Sequence, residues 1–359
     1  MNFYVPIIIV SILVFIALLL VIADKVFGLG GEKVITINEE TKITVRGGIT
    51  LRNALAQHKI FLPSACGGKT TCGYCKFRLI DDSGAIMPTE EPFLSDEEKR
   101  NGTHLSCQFR VRENIKIEIP NEYLNAQEFK TEVEIMKDLT CNAKLVRLKL
   151  IDPETMNFKP GQYAELKVPG IEVIRAYSIA SNPNEANHIE FIVRLEPKAK
   201  STGFVKSLKM GDKVTVIGPF GHFYLKEDSE KDIICIASGS GKAPICSILY
   251  YLKDTGMKRK VKFFYDAISK ADLYYNDEFI ELSKQYPNFK YIPSLSAPLP
   301  EDEWKGEVGL ITDVVDKKTD DLIETEAYIC GSPILISTCI DVLNDHKIQK
   351  ENIFYDQHL

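Results

Sequence analysis

The sequence predicts a multidomain protein. An N-terminal transmembrane helix precedes a small mixed sheet with one helix, an antiparallel β-barrel and an α/β domain with a parallel sheet. Three observations support this order: Val5–Ala23 carries no charge, evenly spaced alternating strands begin near Glu128, and apolar runs separated by helical segments begin near Asp232. A chain of 359 residues has room for two to three domains of about 150 residues. The predicted segments are 1–24, 33–122, 128–228 and 230–359.

Composition and charge exclude some classes of function and indicate the redox compartment. The formal net charge of −6 argues against a nucleic-acid partner, which would favour a basic surface. Nine cysteines, four of them in one pattern, indicate a reducing compartment rather than a disulfide framework. Four others lie in apolar surroundings and are predicted to be buried: Cys141, Cys235, Cys246 and Cys339.

The uncharged stretch Val5–Ala23 predicts a membrane anchor. At ~1.5 Å per residue in a helix it nearly spans a hydrocarbon core of ~30 Å. The alternative is a cleaved signal peptide, but Met1–Tyr4 lacks the basic side chain that such a peptide carries. Lys25, Lys33 and Lys42 follow the stretch, and no lysine or arginine precedes it. The positive-inside rule therefore predicts a single-pass protein whose globular domains face the cytoplasm.

The domain 33–122 is predicted as a small mixed sheet with one helix across it. Lys33–Val45 alternates and indicates two strands around a central turn. Leu51–His58 has helical spacing, with Thr50 as its N-cap. The remaining predicted elements are a strand at Lys76–Ile80, a short helix at Leu94–Lys99 with Ser95 as its cap, a strand around Phe109 and a strand at Ile115–Ile119.

Four cysteines in this domain have the spacing of a cluster site. Cys66, Cys72 and Cys75 lie within ten residues, and Cys107 follows after a long gap. Four thiolates with this C-x5-C-x2-C…C spacing fit a 2Fe-2S cluster. Neighbouring glycines let the loop curl and aim N–H groups at the sulfurs: Gly67, Gly68 and Gly73. The alternative is a zinc site, which usually pairs two C-x2-C hooks, whereas here one hook carries three cysteines.

The cysteine loop resembles the ferredoxin domain of the flavin-containing F subunit of the sodium-translocating NADH:quinone oxidoreductase. It is also similar to the reductase components of several bacterial oxygenases. The resemblance implies a β-grasp fold for 33–122, with the four cysteines holding a 2Fe-2S cluster.

The barrel is predicted from alternating segments at Thr131–Met136, Lys144–Leu150, Tyr163–Val168, Ile189–Val193 and Lys213–Ile217.

Arg175-Ala176-Tyr177-Ser178 matches the R-x-Y-S motif of the ferredoxin-reductase family. The resemblance implies that FAD binds here: Arg175 pairs with the diphosphate, Tyr177 offers its ring to the flavin, and Ser178 approaches flavin N5.

Ser201-Thr202-Gly203 opens a predicted helix at Phe204–Leu208. The resemblance places the flavin diphosphate at this helix N-terminus, where free N–H groups favour phosphate oxygens. An ordinary N-cap is the alternative.

The sequence of the last predicted domain indicates a nucleotide-binding site. Its apolar strands are expected at Ile233–Ala237, Val261–Tyr265, Phe289–Pro293 and Ala327–Cys330. Gly239 and Gly241 lie between the first strand and a helix, the context that a pyrophosphate-binding loop for NADH requires. The family usually shows methionine where this chain has Lys242, which is expected either near the pyrophosphate or in solvent. Cys330 matches the family's cysteine beside nicotinamide C4.

Asp266 follows the second of these strands, where a parallel nucleotide domain meets the adenosine ribose. A carboxylate there accepts hydrogen bonds from a 2′-hydroxyl and repels a 2′-phosphate, which predicts a preference for NADH over NADPH. Two alternatives stay open: Asp266 caps the next helix, or Lys270 reaches a phosphate. Members of the resembled family usually show glycine at the Asp266 position and arginine at the Ile268 position.

The resemblance covers nearly the whole chain and implies an NADH dehydrogenase subunit anchored in a bacterial inner membrane. NADH gives a hydride to FAD, and single electrons pass to the 2Fe-2S cluster and on to a membrane quinone-reductase complex. One alternative is the reductase of an oxygenase, against which the uncharged stretch argues. Another is a membrane-tethered iron–sulfur carrier with a vestigial nucleotide domain, against which Gly239, Gly241 and Cys330 argue. The chain departs from the family at its C-terminus, where Tyr355 or His358 replaces the usual phenylalanine that shields the flavin.

Overall fold

The computed structural model describes residues 9–19, 31–80, 84–168, 173–195 and 200–357. The chain divides into two units, Met1–Gln127 and Glu128–Leu359. The first unit holds the cysteine loop, and the second holds an antiparallel and a parallel sheet.

Residues 9–19 form the first helix, α1. Its apolar side chains are exposed, for example Ile9 at 53% and Phe15 at 61%. Within the described ranges, no helix combines the length and the apolar character that a membrane-spanning segment needs. The remainder of Val5–Ala23 lies outside the described residues, so the transmembrane helix stays a prediction.

The sheet of the first unit has five strands in the order β2-β1-β5-β3-β4. They are β1 (Glu32–Ile37), β2 (Thr41–Arg46), β3 (Lys76–Leu79), β4 (Thr103–Leu105) and β5 (Ile115–Glu118). β1 runs antiparallel to β2 and parallel to β5, so the sheet is mixed, as predicted. Helix α2 (Leu51–Gln57) buries its apolar face, and the hydroxyl of its N-cap Thr50 accepts a hydrogen bond from the Asn53 N–H at 3.4 Å.

Two local predictions for this unit need correction. Helix α3 (Asp96–Arg100) starts two residues later than predicted, directly behind its N-cap Ser95. The predicted strand around Phe109 is wrong, because the chain turns after β4. The N–H groups of Gln108 and Phe109 both donate to the Leu105 carbonyl, which closes the turn.

The second unit begins with an antiparallel sheet in the order β10-β7-β6-β11-β8-β9. Its strands are β6 (Gln127–Thr140), β7 (Ala143–Asp152), β8 (Tyr163–Val168), β9 (Val173–Ser178), β10 (His188–Arg194) and β11 (Lys213–Phe220). A bridge between Ile179 and Phe191 joins the two ends of this order, which closes the predicted barrel. Helix α4 (Lys200–Ser207) lies between β10 and β11 and begins four residues before the predicted start.

Two features of the barrel differ from the sequence expectation. β9 was not predicted as a strand because Val173–Ser178 does not alternate, yet it pairs with β8 along its whole length. Cys141 lies exposed in the turn between β6 and β7, so its predicted burial is wrong. The predicted burial of three other cysteines is confirmed: Cys235, Cys246 and Cys339.

The second sheet of this unit is parallel, in the order β15-β14-β13-β12-β16-β17. Its strands are β12 (Asp232–Ser238), β13 (Val261–Ala267), β14 (Phe289–Leu295), β15 (Glu307–Val308), β16 (Thr325–Gly331) and β17 (Ile353–Gln357). The helices between them are α5 (Lys242–Asp254), α6 (Asn276–Gln285), α7 (Ile311–Lys318) and α8 (Pro333–Asp345). The chain moves outward from β12 to β15 and then returns to the other side of β12 as β16, so a crevice forms at the carboxyl end of β12.

Candidate functional site

The four cysteines of the first unit lie as two pairs. The sulfurs of Cys66 and Cys72 are 3.4 Å apart, and the thiols of Cys75 and Cys107 share a hydrogen bond. Among the described residues, no three Cys, His, Asp or Glu side chains are placed to hold a single metal ion. Two thiolate pairs fit a centre of two iron atoms, each of which takes two sulfurs.

The loop around these sulfurs depends on glycine. Gly68 has a φ of +84°, and its N–H donates to the Ser64 hydroxyl at 2.9 Å. Gly73 has a φ of +70°, and a Cβ there would lie 2.8 Å from the Phe93 ring. A side chain at either position would strain the loop, because L residues rarely adopt these angles.

In each cysteine pair the pKa of one thiol is lowered, whereas hydrogen bonding to the partner sulfur and burial raise the pKa of the other, Cys72 or Cys75. A hydrogen bond from Cys72 lowers the pKa of Cys66 to about 3, assisted by the N–H groups of Thr71 and Lys69. The hydrogen bond with Cys75 lowers the pKa of Cys107 to about 6. Thiolates are the form in which cysteine binds iron, so Cys72 and Cys75 would lose their protons when a cluster binds.

The R-x-Y-S residues lie on β9, at one edge of the barrel sheet. Ser178 is opposite Tyr163 in the register with β8, and Arg175 is opposite Leu166. Arg175 and Tyr177 are half-buried, whereas Ser178 is buried. The Tyr177 ring lies 6.1 Å from the Phe191 ring, which limits its orientation. A guanidinium, a ring and a hydroxyl on one strand could hold a flavin nucleotide.

Ser201 and Thr202 fall in the first turn of α4, and Gly203 follows them. A Cβ on Gly203 would meet no atom within 4 Å, so open space surrounds that position. The early start of α4 therefore places these residues inside the helix rather than before it. Backbone N–H groups of a first turn are still available to an anion.

The glycine loop lies at the crevice of the parallel sheet. Gly239 has a φ of +54° and begins a short 3-10 turn, Gly239–Gly241, that leads into α5. A Cβ on Gly241 would lie 2.3 Å from the Cys330 carbonyl oxygen, so only glycine lets the loop approach β16 this closely. The loop and the residue Cys330 are therefore neighbours, as a dinucleotide spanning both would require.

Cys330 is buried near the end of β16, and burial raises its pKa well above the ordinary thiol value. Ser332, where the family motif usually has proline, is the N-cap of α8. Its hydroxyl accepts a hydrogen bond from the Leu335 N–H at 3.3 Å, and Pro333 occupies the first helical position. Ser332 thus stabilises the start of the helix that follows β16.

Asp266 lies within β13 rather than after it, because β13 pairs with both β12 and β14 as far as this residue. Its Oδ2 accepts a hydrogen bond from the Ser238 hydroxyl at 3.3 Å, whereas its buried Oδ1 has no partner among the described residues. Burial raises the pKa of Asp266 above the ordinary carboxyl value. The helix-capping alternative is wrong, since Ser269 caps the next turn. Lys270 is engaged with the Asp302 carbonyl at 3.1 Å.

The environment of Lys242 was not predicted from the sequence. Its side chain lies in the protein interior and not in solvent. The side chain is fully buried among aromatic rings, and its Nζ lies 3.9 Å from the centre of the Tyr265 ring. A lysine at a position where the family has methionine was the available signal. Its partners come from separate elements that only the folded chain brings together.

Three family models match the chain in succession. They are the 2Fe-2S iron-sulfur cluster binding domain at residues 35–112, the oxidoreductase FAD-binding domain at 130–224, and the oxidoreductase NAD-binding domain at 235–340. These matches cover the cysteine loop, the barrel and the parallel sheet, respectively.

Solved structures share the architecture. The Amycolatopsis cytochrome P450 reductase GcoB is 26% identical, with a TM-score of 0.73 over 90% of this chain and 98% of that chain. The ferredoxin reductase in carbazole 1,9a-dioxygenase is 22% identical, with a TM-score of 0.70 over 92% of this chain and 99% of that chain. The second likeness shows the fold alone.

Relatives named as the F subunit of the Na(+)-translocating NADH-quinone reductase match over nearly their full length. The protein from Psychrobacter cryohalolentis is 34% identical over 91% of both chains. The protein from Neisseria gonorrhoeae is 33% identical over 95% of both chains. The chain therefore belongs to the family of the F subunit of the Na(+)-translocating NADH-quinone reductase.

Proposed function

We propose that this protein oxidises NADH and passes the electrons through FAD and a 2Fe-2S cluster to a quinone-reducing complex of the sodium-translocating type. The observation that carries the proposal is the relative from Psychrobacter cryohalolentis, 34% identical over 91% of both chains. Matches to cluster, FAD and NAD domain families in the same chain support each cofactor.

The cluster is assigned to Cys66, Cys72, Cys75 and Cys107. Their two-by-two arrangement supports this assignment. The hydrogen bond from Gly68 to Ser64 holds the loop in the shape that exposes its other N–H groups to the sulfurs.

FAD is assigned to the barrel edge. Arg175 pairs with the diphosphate, Tyr177 covers the ring system, and the Ser178 hydroxyl faces the N5 edge. The first turn of α4 offers its N–H groups to the diphosphate through Ser201, Thr202 and Gly203. When bound, FAD accepts a hydride and releases electrons singly, which matches a two-electron donor to a one-electron cluster.

NADH is assigned to the crevice at the end of β12. Gly239 and Gly241 let the pyrophosphate approach the backbone, and Cys330 faces the nicotinamide. The half-buried Asp266 carboxyl is assigned to the adenosine ribose, where an acid accepts from a 2′-hydroxyl and repels a 2′-phosphate, which supports NADH over NADPH. The close contact of Gly241 with the Cys330 carbonyl argues against a vestigial nucleotide domain.

A membrane anchor at 1–24 completes the proposal. The uncharged stretch Val5–Ala23 and the exposed apolar side chains of α1 support a single pass through a bacterial inner membrane, with the globular domains in the cytoplasm. The partners are then membrane subunits of the same complex.

A second candidate is the reductase of an oxygenase, favoured by the likeness to the cytochrome P450 reductase at a TM-score of 0.73. Full-length tagged protein, isolated in detergent from membranes of its own cells, separates the two. We expect NADH to bleach the flavin and then produce the electron paramagnetic resonance signal of a reduced cluster. Mass spectrometry should find quinone-reductase membrane subunits bound to it. A soluble hydroxylase in their place would favour the second candidate, and no flavin bleaching by NADH would contradict both.

A further inference from the structure

Lys242, the first residue of α5, has a side chain that is 0% exposed. Its ammonium lies 3.9 Å from the centre of the Tyr265 ring and 4.9 Å from that of Tyr274. The rings of Phe263, Phe279 and Tyr291 complete an aromatic cage at 5.0 to 5.9 Å. Ring faces attract a cation, and they do so most strongly when water is excluded.

The ammonium also has directional partners. It donates to the Tyr274 carbonyl at 2.5 Å and to the Tyr291 hydroxyl at 3.5 Å. The other titratable groups that face it are the Cys246 thiol on its own helix, the Glu278 carboxyl on α6 and the phenol of Tyr265 on β13. In the described part of the chain, the hydrogen bonds of the Lys242 ammonium go to the Tyr274 carbonyl and the Tyr291 hydroxyl and to none of these groups.

The cage is joined to the nucleotide loop through one carbonyl. The Tyr274 hydroxyl donates to the Gly239 carbonyl at 2.6 Å, and the Tyr265 hydroxyl reaches the same oxygen at 3.4 Å. The backbone N–H of Lys242 is directed to this oxygen as well. Gly239 is the residue with φ of +54° that starts the loop, so its carbonyl direction sets the direction of the N–H groups that follow.

Burial of the charged Lys242 side chain lowers the stability of the folded protein. Desolvation by burial lowers the pKa of Lys242 to about 7, against the attraction of Cys246 and Glu278. A methionine, as the family usually has, would fill a similar volume without a charge. A residue that costs stability at the base of a binding loop is a candidate for a role in binding.

We propose that Lys242 is a positioning residue for NADH: its ammonium fixes Tyr274, and Tyr274 fixes the Gly239 carbonyl and hence the loop that takes the pyrophosphate. The inference rests on the proposed function, because it names a residue that supports the same site. Its consequence is that the affinity of the protein for NADH is higher when Lys242 is protonated than when it is neutral. The ammonium form makes the stronger hydrogen bond, so affinity falls as the pH rises through about 7.

The test is the Kd of NADH for the holoprotein between about pH 6 and about pH 8.5, together with KM and kcat for ferricyanide reduction. Wild type should lose about fivefold in affinity over this range, as expected for a charged hydrogen bond replaced by a neutral one. Lys242→Met should bind NADH about fivefold more weakly at the lower pH and show no such change with pH, with kcat retained. Lys253→Met removes an exposed lysine from the same helix and should behave as wild type.

A second variant retains the aromatic cage and removes the hydrogen bond that joins it to the glycine loop. Tyr274→Phe loses the hydroxyl that donates to Gly239 but retains the ring and the carbonyl that Lys242 holds. It should reproduce the weaker and pH-independent binding. An unchanged Kd and pH profile in both variants would overturn the inference while leaving the proposed function intact. No NADH binding by wild type at any pH would overturn the proposed function as well.

Discussion

Replacing Lys242 by methionine should stabilise the second unit, most strongly below neutral pH. The pKa of Lys242 is lowered from its ordinary value of 10.5 to about 7, because the side chain is buried. The unfolded chain therefore holds a proton that the folded chain has released, between about pH 7 and pH 10.5. Stability of the wild type rises with pH over that window, since the unfolded state binds more protons. Below it, the full cost of burying the cation is present.

The size of the effect follows from the two pKa values. At about 1.4 kcal/mol per pKa unit, the buried ammonium costs up to about 5 kcal/mol at about pH 6, and about 2 kcal/mol near pH 9. The pKa of about 7 reflects desolvation by burial, which the attraction of Cys246 and Glu278 offsets only in part. Methionine in the cage adds sulfur–aromatic contacts of about 0.3–1.5 kcal/mol. The gain from the substitution should thus be about 3 kcal/mol larger at the lower pH.

Differential scanning calorimetry of the second-unit transition measures this gain. For a unit of this size 1 kcal/mol moves Tm by about 2–4 °C, so the difference between the two pH values should be about 6–12 °C. Lys253→Met, in which an exposed lysine is lost from the same helix, controls for the change in net charge. A gain of equal size at both pH values, or a lower Tm at both, would refute the reasoning.

Three further predictions concern the assigned sites. Asp266→Gly combined with Ile268→Arg should reduce the NADH preference at least about tenfold, because a charged acceptor is lost and a cation is gained. Steady-state kcat/KM for both nucleotides measures it, and a wild type that prefers NADPH contradicts the assignment. Cys66→Ala should remove iron and leave NADH-dependent flavin bleaching, since the cysteines and the R-x-Y-S motif lie in separate units. Lost bleaching with flavin still bound would be inconsistent with that division. Removing residues 1–24 should leave ferricyanide reduction by NADH intact, because every assigned cofactor residue lies beyond them. Failure of the shortened protein to retain FAD or iron would mean that the segment is structural.

Much of the architecture was predictable because it depends on local patterns. Alternating residues gave most strands of the barrel, and buried apolar runs gave the four central strands of the parallel sheet. The two-residue strand β15 lacks a pattern long enough to detect. β17 at the chain end was missed for another reason, since its pairing with β16 is what makes it a strand. Cys141 was misjudged because cysteine is most often a buried residue, whereas here it occupies a turn between Thr140 and Asn142.

The candidate site likewise has features that the sequence predicts and features that depend on the folded chain. The spacing of Cys66, Cys72 and Cys75 indicates a cluster because ligand spacing is a local property. The depth of Lys242 could not be predicted, since charged residues are rarely buried and its cage is drawn from β13, β14 and α6. The position of Asp266 inside β13 depended likewise on pairing with two neighbouring strands.

The approach of Gly241 to the Cys330 carbonyl limits how this protein can diversify. A Cβ at 241 would lie 2.3 Å from that oxygen, so any larger residue must displace either the glycine loop or the end of β16. Under the proposed function the glycine loop serves the pyrophosphate in the middle of the dinucleotide, and the end of β16 serves its nicotinamide. A mutation at the contact would therefore disturb both parts together, and selection could not adjust one without the other. Variation in nucleotide preference is left to the periphery, where Asp266 and Ile268 can change without moving the backbone at the centre.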